Sequence, residues 1–145
     1  MVRPASLGCD ACHVIVGIGV DVVNVARFAA TLRSVAGLRH LYFAPQELLT
    51  EDGRPRSAGS LAARYAVKEA TSKALGLPSG LRHVDCQVVA GGCGEPVLRP
   101  VGSLATAAAQ VGVTRWHVSL SVEGDVAMAM VVAEADDLAE GARVQ

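Results

Sequence analysis

Aromatic residues are scarce in this chain: two Phe, two Tyr and one Trp in 145 residues, 3% in all, although 51% of residues are hydrophobic. A core drawn mainly from Ala, Val and Leu packs small side chains, so contacts between subunits are expected to contribute to its stability. No apolar run approaches the roughly 18 residues of a membrane-spanning helix, and Met1–Ser6 offer no apolar signal core ahead of Cys9. The expected location is cytoplasmic, with no membrane partner. A net charge of −1 supplies no global field for nucleic acid. The pattern G-x-x-x-x-G-K-[ST] is missing, as is any dinucleotide fingerprint, so the glycines form no phosphate loop of those kinds. The length fits one domain able to bury a core.

Cysteines number four: Cys9, Cys12, Cys86 and Cys93. Cys9-Asp10-Ala11-Cys12-His13 matches the haem-attachment pattern C-x-x-C-H, but covalent attachment of that kind usually follows export. Four zinc ligands at suitable spacing are not evident either. Reduced, structurally incidental thiols are the expectation.

Residues 1–12 read as a flexible extension, 13–135 as a single domain and 136–145 as a polar tail. His13–Val20 is β-branched with Gly17 and Gly19, a strand whose glycines signal a bulge or close backbone approach. Asp21 at its end is placed either to cap the next helix or to bind a cation. A helix is expected over about Val22–Val35, and a brief one starting at Pro45. From Val22 to Gln46 there is no acid, yet Arg27, Arg33, Arg39 and His40 occur, a segment suited to an acidic partner or to a solvated surface. The polar loop Glu51–Ser60 carries Arg54 and Arg56, which reach phosphate if the loop folds over a site.

A central helix follows at about Ser57–Gly76, capped by Ser57 or Ser60 and closed by Gly76-Leu77-Pro78. It contains both lysines of the chain, Lys68 and Lys73, and a single acid, Glu69. Helical spacing puts Glu69 and Lys73 on one face with Ala62 and Ala66, whose small side chains leave room for a metal ion and a phosphate. The plainer alternative is a solvated i,i+4 ion pair. Ala63, Val67, Ala70 and Ala74 form a stripe suited to packing on a sheet. Strands are expected at His83–Ala90 and Glu95–Arg99 around a glycine turn, a helix at Gly102–Gly112, and a hairpin of Arg115–Val122 with Val126–Glu134. The order is β-α-(α)-α-β-β-α-β-β. The closing hairpin points to an α+β fold with a mainly antiparallel sheet packed against the long central helix.

Asp21, Glu69, Lys73 and His117 together offer two hard oxygen ligands and two cationic or titratable groups. Two carboxylates suit Mg²⁺, which keeps waters and takes further ligands from substrate phosphates. The set suits phosphoryl-type transfer.

Three segments occur in order: Gly17-Ile18-Gly19-Val20-Asp21; Arg64-Tyr65-Ala66-Val67-Lys68-Glu69-Ala70 through Lys73-Ala74-Leu75-Gly76; and Trp116-His117-Val118-Ser119-Leu120-Ser121. Over about residues 14–134 the chain resembles the holo-acyl-carrier-protein synthase type of 4'-phosphopantetheinyl transferase. The resemblance implies that family's fold and transfer of phosphopantetheine from coenzyme A to a serine of an acidic acyl carrier protein, of fatty-acid or polyketide type, with adenosine 3',5'-bisphosphate as the other product. It implies Mg²⁺ on Asp21 and Glu69, with Lys73 on phosphate. Glu69 or a metal-held water is its candidate proton acceptor, and His117 is a further catalytic candidate, its alternative being a hydrogen-bonded core residue. Arg54, Arg56, Arg64 and Lys68 join Lys73 as candidate contacts to coenzyme A, and Arg27 and Arg33 as contacts to the carrier protein. A homotrimer with sites between subunits is also implied. Two departures stand out: Val122 where the family usually has histidine, and Glu95 where it commonly has lysine. Both remove positive charge near the expected nucleotide, and they keep open a paralogue that binds carrier protein without efficient transfer.

Overall fold

The computed structural model of the chain describes residues 12–136. In chain order the elements are β1 (His13–Asn24), α1 (Val25–Ser34), α2 (Leu38–Tyr42), α3 (Ala58–Ala74), β2 (Cys86–Ala90), β3 (Pro96–Pro100), α4 (Gly102–Gln110), β4 (Arg115–Glu123) and β5 (Val126–Asp136), with short 3₁₀ turns at Pro45–Glu47 and His83–Asp85. The fold is α+β. One antiparallel sheet has the order β1-β5-β4, and β2 and β3 form a separate hairpin. The expected extension and tail lie outside the described residues except for Cys12 and Asp136, and Asp136 belongs to β5.

Helix α3 lies on one face of the sheet. Strand pairing puts Asp21 opposite Ala129 and Val23 opposite Ala127, with Val118 and Leu120 opposite Val131 and Ala129. These residues share the face whose β5 members Ala127, Ala129, Val131 and Ala133 are fully buried. Alanines Ala62, Ala63, Ala66 and Ala70 of α3 are equally inaccessible. Ala62 and Ala66 therefore do not leave room over a site, as the helical-face reading expected. They are spent on the core, and the accessible residues along the helix beyond its first turn are instead Arg64, Tyr65, Glu69, Ser72 and Lys73.

Small residues on both surfaces let helix and strand backbones meet. A Cβ on Gly17 would sit 1.9 Å from the carbonyl oxygen of Ala74, and one on Gly19 1.8 Å from that of Ala70. The β1–β5 register also shifts between Ile15 and Gly17, so both expectations for these glycines are met. Gly19→Ala has only backbone to push against. It is expected to cost about 3 kcal/mol or more, read as a lowered urea midpoint. A midpoint near wild type would mean that helix and sheet separate freely.

Strand β1 runs to Asn24, so the helix expected from Val22 begins at Val25. Val20, Val22 and Val23 are β-branched and extend the ladder with β5. The cap is Asn24, whose Oδ1 accepts the Arg27 N–H at 2.8 Å, while Asp125 Oδ1 accepts the Ala26 N–H at 2.9 Å. Asp21 therefore caps nothing. Ser57 caps α3 through the Ser60 N–H at 3.2 Å, and Gly76 (φ +76°) ends it in the left-handed region. The strand expected at His83–Ala90 loses its first three residues to a 3₁₀ turn.

Candidate active site

A cleft of about 340 Å³ opens where the end of β1 meets α1 and α3, lined among others by Asp21, Arg27, Tyr42, Tyr65 and Glu69. The fold thus brings Asp21 and Glu69 to one opening, although 48 positions separate them in the chain. Lys73 joins them from the next turn of α3. Its Nζ donates to Asp21 Oδ1 at 2.8 Å and to the Val20 carbonyl at 3.0 Å. The i,i+4 pair of Glu69 with Lys73 is not formed, because the strand carboxylate captures the ammonium. Glu69 is engaged elsewhere: its Oε1 meets Nε2 of His83 at 2.5 Å.

Nearly all the aromatic character of the chain gathers here. Tyr65 stacks on Phe28 with ring centroids 4.7 Å apart and on His83 at 5.5 Å with planes 10° apart, and Tyr42 is 4.8 Å from Tyr65. Burial raises the pKa of the Tyr65 phenol, and the charge of Glu69 raises it further, so it stays protonated.

Beyond the cleft, Arg64 leans back along α3, its Nη1 donating to Ser60 Oγ at 2.9 Å. Burial lowers its pKa to about 10, and the nearby charge of Arg56 acts in the same direction. Both Arg56 and Arg64 have a buried Nε without a hydrogen-bond partner. Two neighbouring guanidinium groups with unused donors are the chemistry of an anion site. Arg54 is not drawn in: it pairs with Asp52 in its own loop, Nη2 to Oδ2 at 2.6 Å, and is exposed. Arg27 lines the cleft and Arg33 does not, though both are exposed on α1.

Lys68 departs from expectation. Its side chain is wholly buried and its Nζ donates to both carboxylate oxygens of Glu47, at 2.8 and 3.0 Å, and to the carbonyls of His83 and Cys86. No donor remains for coenzyme A, so Lys68 does not serve as the coenzyme A contact that the resemblance implies. Helical spacing foreshadows this: Lys68 is five residues from Lys73, so the two point from different sides of α3. Glu47 also accepts the Ala44 and Val88 N–H groups, at 2.8 and 2.9 Å.

His117 is likewise not in the cleft of its own chain. It pairs with Val132 on the sheet face opposite α3, is exposed, and its Nε2 lies 2.9 Å from Glu134 Oε2. It is not a core residue either. Val122 lies on the α3 face, 3.4 Å from where a Cβ on Gly59 would stand. Glu95 curls into its own turn, accepting the Cys93 N–H at 2.8 Å. Among the cysteines, Cys12 and Cys93 are free and exposed, while burial raises the pKa of Cys86 to about 11 and leaves it a thiol; Cys9 lies outside the described residues. Among the described residues no three His, Cys, Asp or Glu side chains gather as a metal cage. A hard ion that takes two carboxylates and completes its shell with water and substrate phosphate needs no such cage.

Residues 17–131 match the model of the 4'-phosphopantetheinyl transferase superfamily, and the chain belongs to that superfamily. It is 48% identical over 120 residues to the holo-[acyl-carrier-protein] synthase of Streptomyces avermitilis, covering 83% of this chain and 98% of the relative. The corresponding synthase of Frankia casuarinae is 51% identical with the same coverage. Among solved structures, the acyl carrier protein synthase of Mycobacterium tuberculosis superposes with a TM-score of 0.64 at 36% identity, covering 84% of this chain and 99% of that one. A holo-(acyl-carrier-protein) synthase of Bacillus anthracis in complex with coenzyme A (3',5'-ADP) gives 0.67 at 27% identity, covering 84% and 98%. The chain is thus an enzyme of the phosphopantetheinyl transferase class, similar along nearly their whole length to holo-acyl-carrier-protein synthases.

Proposed function

We propose that this enzyme moves 4'-phosphopantetheine from coenzyme A to a serine hydroxyl of an apo acyl carrier protein, with Mg²⁺ required and adenosine 3',5'-bisphosphate released. The observation that carries the reading is that Asp21 and Glu69 line one cleft while Lys73 is bonded to Asp21 at its edge. The serine oxygen forms a bond to the phosphorus that bears pantetheine. The bond from that phosphorus to the bridging oxygen breaks, and the electron pair leaves on adenosine 3',5'-bisphosphate. Glu69 or a metal-held water accepts the serine proton.

Asp21 and Glu69 are the residues that would hold Mg²⁺. When bound, the ion neutralises pyrophosphate charge and so favours attack on phosphorus. Lys73, held against Asp21, supplies positive charge that attracts a phosphate to this end of the cleft and stabilises charge on the leaving oxygen. Arg56 and Arg64, with unused buried donors, would take a further phosphate of coenzyme A. Arg54 joins only if its loop releases Asp52. The pathway class, fatty-acid or polyketide, follows from the carrier accepted, and the reaction belongs in the cytoplasm with both substrates. A mass spectrum of apo acyl carrier protein incubated with the full chain, coenzyme A and Mg²⁺ tests the reading. A gain of one phosphopantetheine group, lost with EDTA, supports it. No gain across several carrier proteins would sink it.

The acid-free segment around α1 would dock the acidic carrier, Arg27 at the mouth of the cleft and Arg33 further along. Arg27→Glu is expected to raise KM for carrier protein about tenfold, the order for an attractive rim charge made repulsive, while KM for coenzyme A barely moves. Equal changes in both would count against docking.

The reading includes a homotrimer. The sheet face away from α3 presents Ile18, Val20, Val22, Met128 and Met130, each more than 40% exposed. An apolar band of that breadth supports association between copies, and His117 on the same face would then meet a neighbour's site rather than its own. A monomer in sedimentation at micromolar concentration would contradict the trimer.

A further inference from the structure

The contact between Glu69 and His83 has a structural lineage of its own. His83 sits in the 3₁₀ turn before β2, and its backbone carbonyl accepts a hydrogen bond from the buried Lys68 at 3.1 Å. That ammonium is in turn fixed by Glu47, so one end of the residue is tied into the core. The ring is held from two sides, stacked on Tyr65 and tilted against Tyr42 with centroids 5.0 Å apart. Held at both ends, the imidazole has little freedom to do anything but present Nε2 to Glu69 Oε1. An ionised carboxylate can only accept, so the bond requires a proton on Nε2.

We infer that His83 is a positioning residue for Glu69: its Nε2–H holds one carboxylate oxygen and thereby aims the other at the divalent cation. This rests on the proposed metal role of Glu69. Groups that hydrogen-bond a ligating carboxylate set its orientation, and losing one typically weakens metal affinity 10- to 100-fold. Glu69 needs such help because its neighbour on the helix face, Lys73, has gone to Asp21. The line Glu47–Lys68–His83–Glu69 also gives the buried lysine a part in the site without contact to substrate.

The test is Mn²⁺ affinity of the full chain in the presence of coenzyme A, read from the free-ion electron paramagnetic resonance signal. His83→Phe keeps a ring for Tyr65 and removes the donor. His83→Gln keeps a donor and removes the ring. The expected result is a 10- to 100-fold weaker affinity in His83→Phe and an affinity close to wild type in His83→Gln, with circular dichroism melts showing both folded. Should His83→Phe not fold, His83→Leu beside His83→Gln makes the same comparison at similar volume. Wild-type affinity in the donor-less variant overturns the inference, as does equal weakening in both, which would assign the effect to the ring. Glu69→Gln separates the two levels of the argument. If it also binds Mn²⁺ normally, the metal reading itself fails; if it alone loses Mn²⁺, only the role of His83 fails.

Discussion

Glu69→Gln should lower kcat for carrier-protein modification by about 100-fold or more, the order seen when one preorganised electrostatic partner of a transition state is removed. The substitution preserves shape and removes charge. Glutamine can still accept a hydrogen bond from His83 through its amide oxygen, so the turn before β2 has no reason to move. On the proposed reading two things are lost: one of two hard anionic oxygen donors for a divalent cation, and one of the two candidate acceptors for the serine proton. Raising Mg²⁺ should recover part of the activity if weakened metal binding dominates, and none if proton acceptance does. Turnover near that of the wild type at ordinary Mg²⁺ would remove Glu69 from the site altogether. The melting temperature should stay close to wild type, because the Glu69 side chain is about one-third exposed and lies outside the alanine contact with the sheet.

Lys68→Met is expected to act in the opposite way, with a large loss of stability at a residue that touches no substrate. Breaking a buried ion pair by removing one partner typically costs about 3–5 kcal/mol, because the other charge is left without compensation. Here the stranded group is Glu47, fully buried, with only the N–H groups of Ala44 and Val88 left to it. The carbonyls of His83 and Cys86 lose their donor as well. Adding Glu47→Gln should recover part of the loss, since it removes the stranded charge, although its single amide oxygen keeps only one of the two backbone bonds that Oε1 and Oε2 of Glu47 accept separately. Denaturant midpoints of the two single variants and the double variant form the cycle that measures the coupling. Additive losses would show that the pair is not a unit.

These residues illustrate how differently the parts of the molecule could be read from the chain. Asp21, Glu69 and Lys73 were legible as a chemical set because carboxylate and ammonium types are rare in their segments and their motifs are distinctive. The α+β order was legible for a similar reason: β-branched runs, glycine turns and an alanine-rich helix carry local signals. The helix expected from Val22 starts three residues later because Val22 and Val23 suit either period, and only the ladder with β5 selects strand. The strand expected from His83 starts at Cys86 because alternation ignores the His83 carbonyl that Lys68 holds.

Lys68 shows the deeper limit. Two lysines flank Glu69 in sequence, and residue type alone treats them alike. One donates to the strand carboxylate Asp21; the other is enclosed with Glu47, from a segment 21 positions earlier. His117 is similar: period-two alternation puts it on one face of a strand without saying which face meets α3.

The sequence by itself determined the order of elements, the close backbone approach signalled by Gly17 and Gly19, and the residue types of the site. Local propensity and steric size act within a few positions, and those are readable one segment at a time. Only the tertiary structure decided which lysine is buried, which histidine meets Glu69 and which sheet face is left apolar and open. Each of those outcomes depends on a partner supplied from a distant part of the chain, and on the burial that makes an unpaired charge too costly to keep.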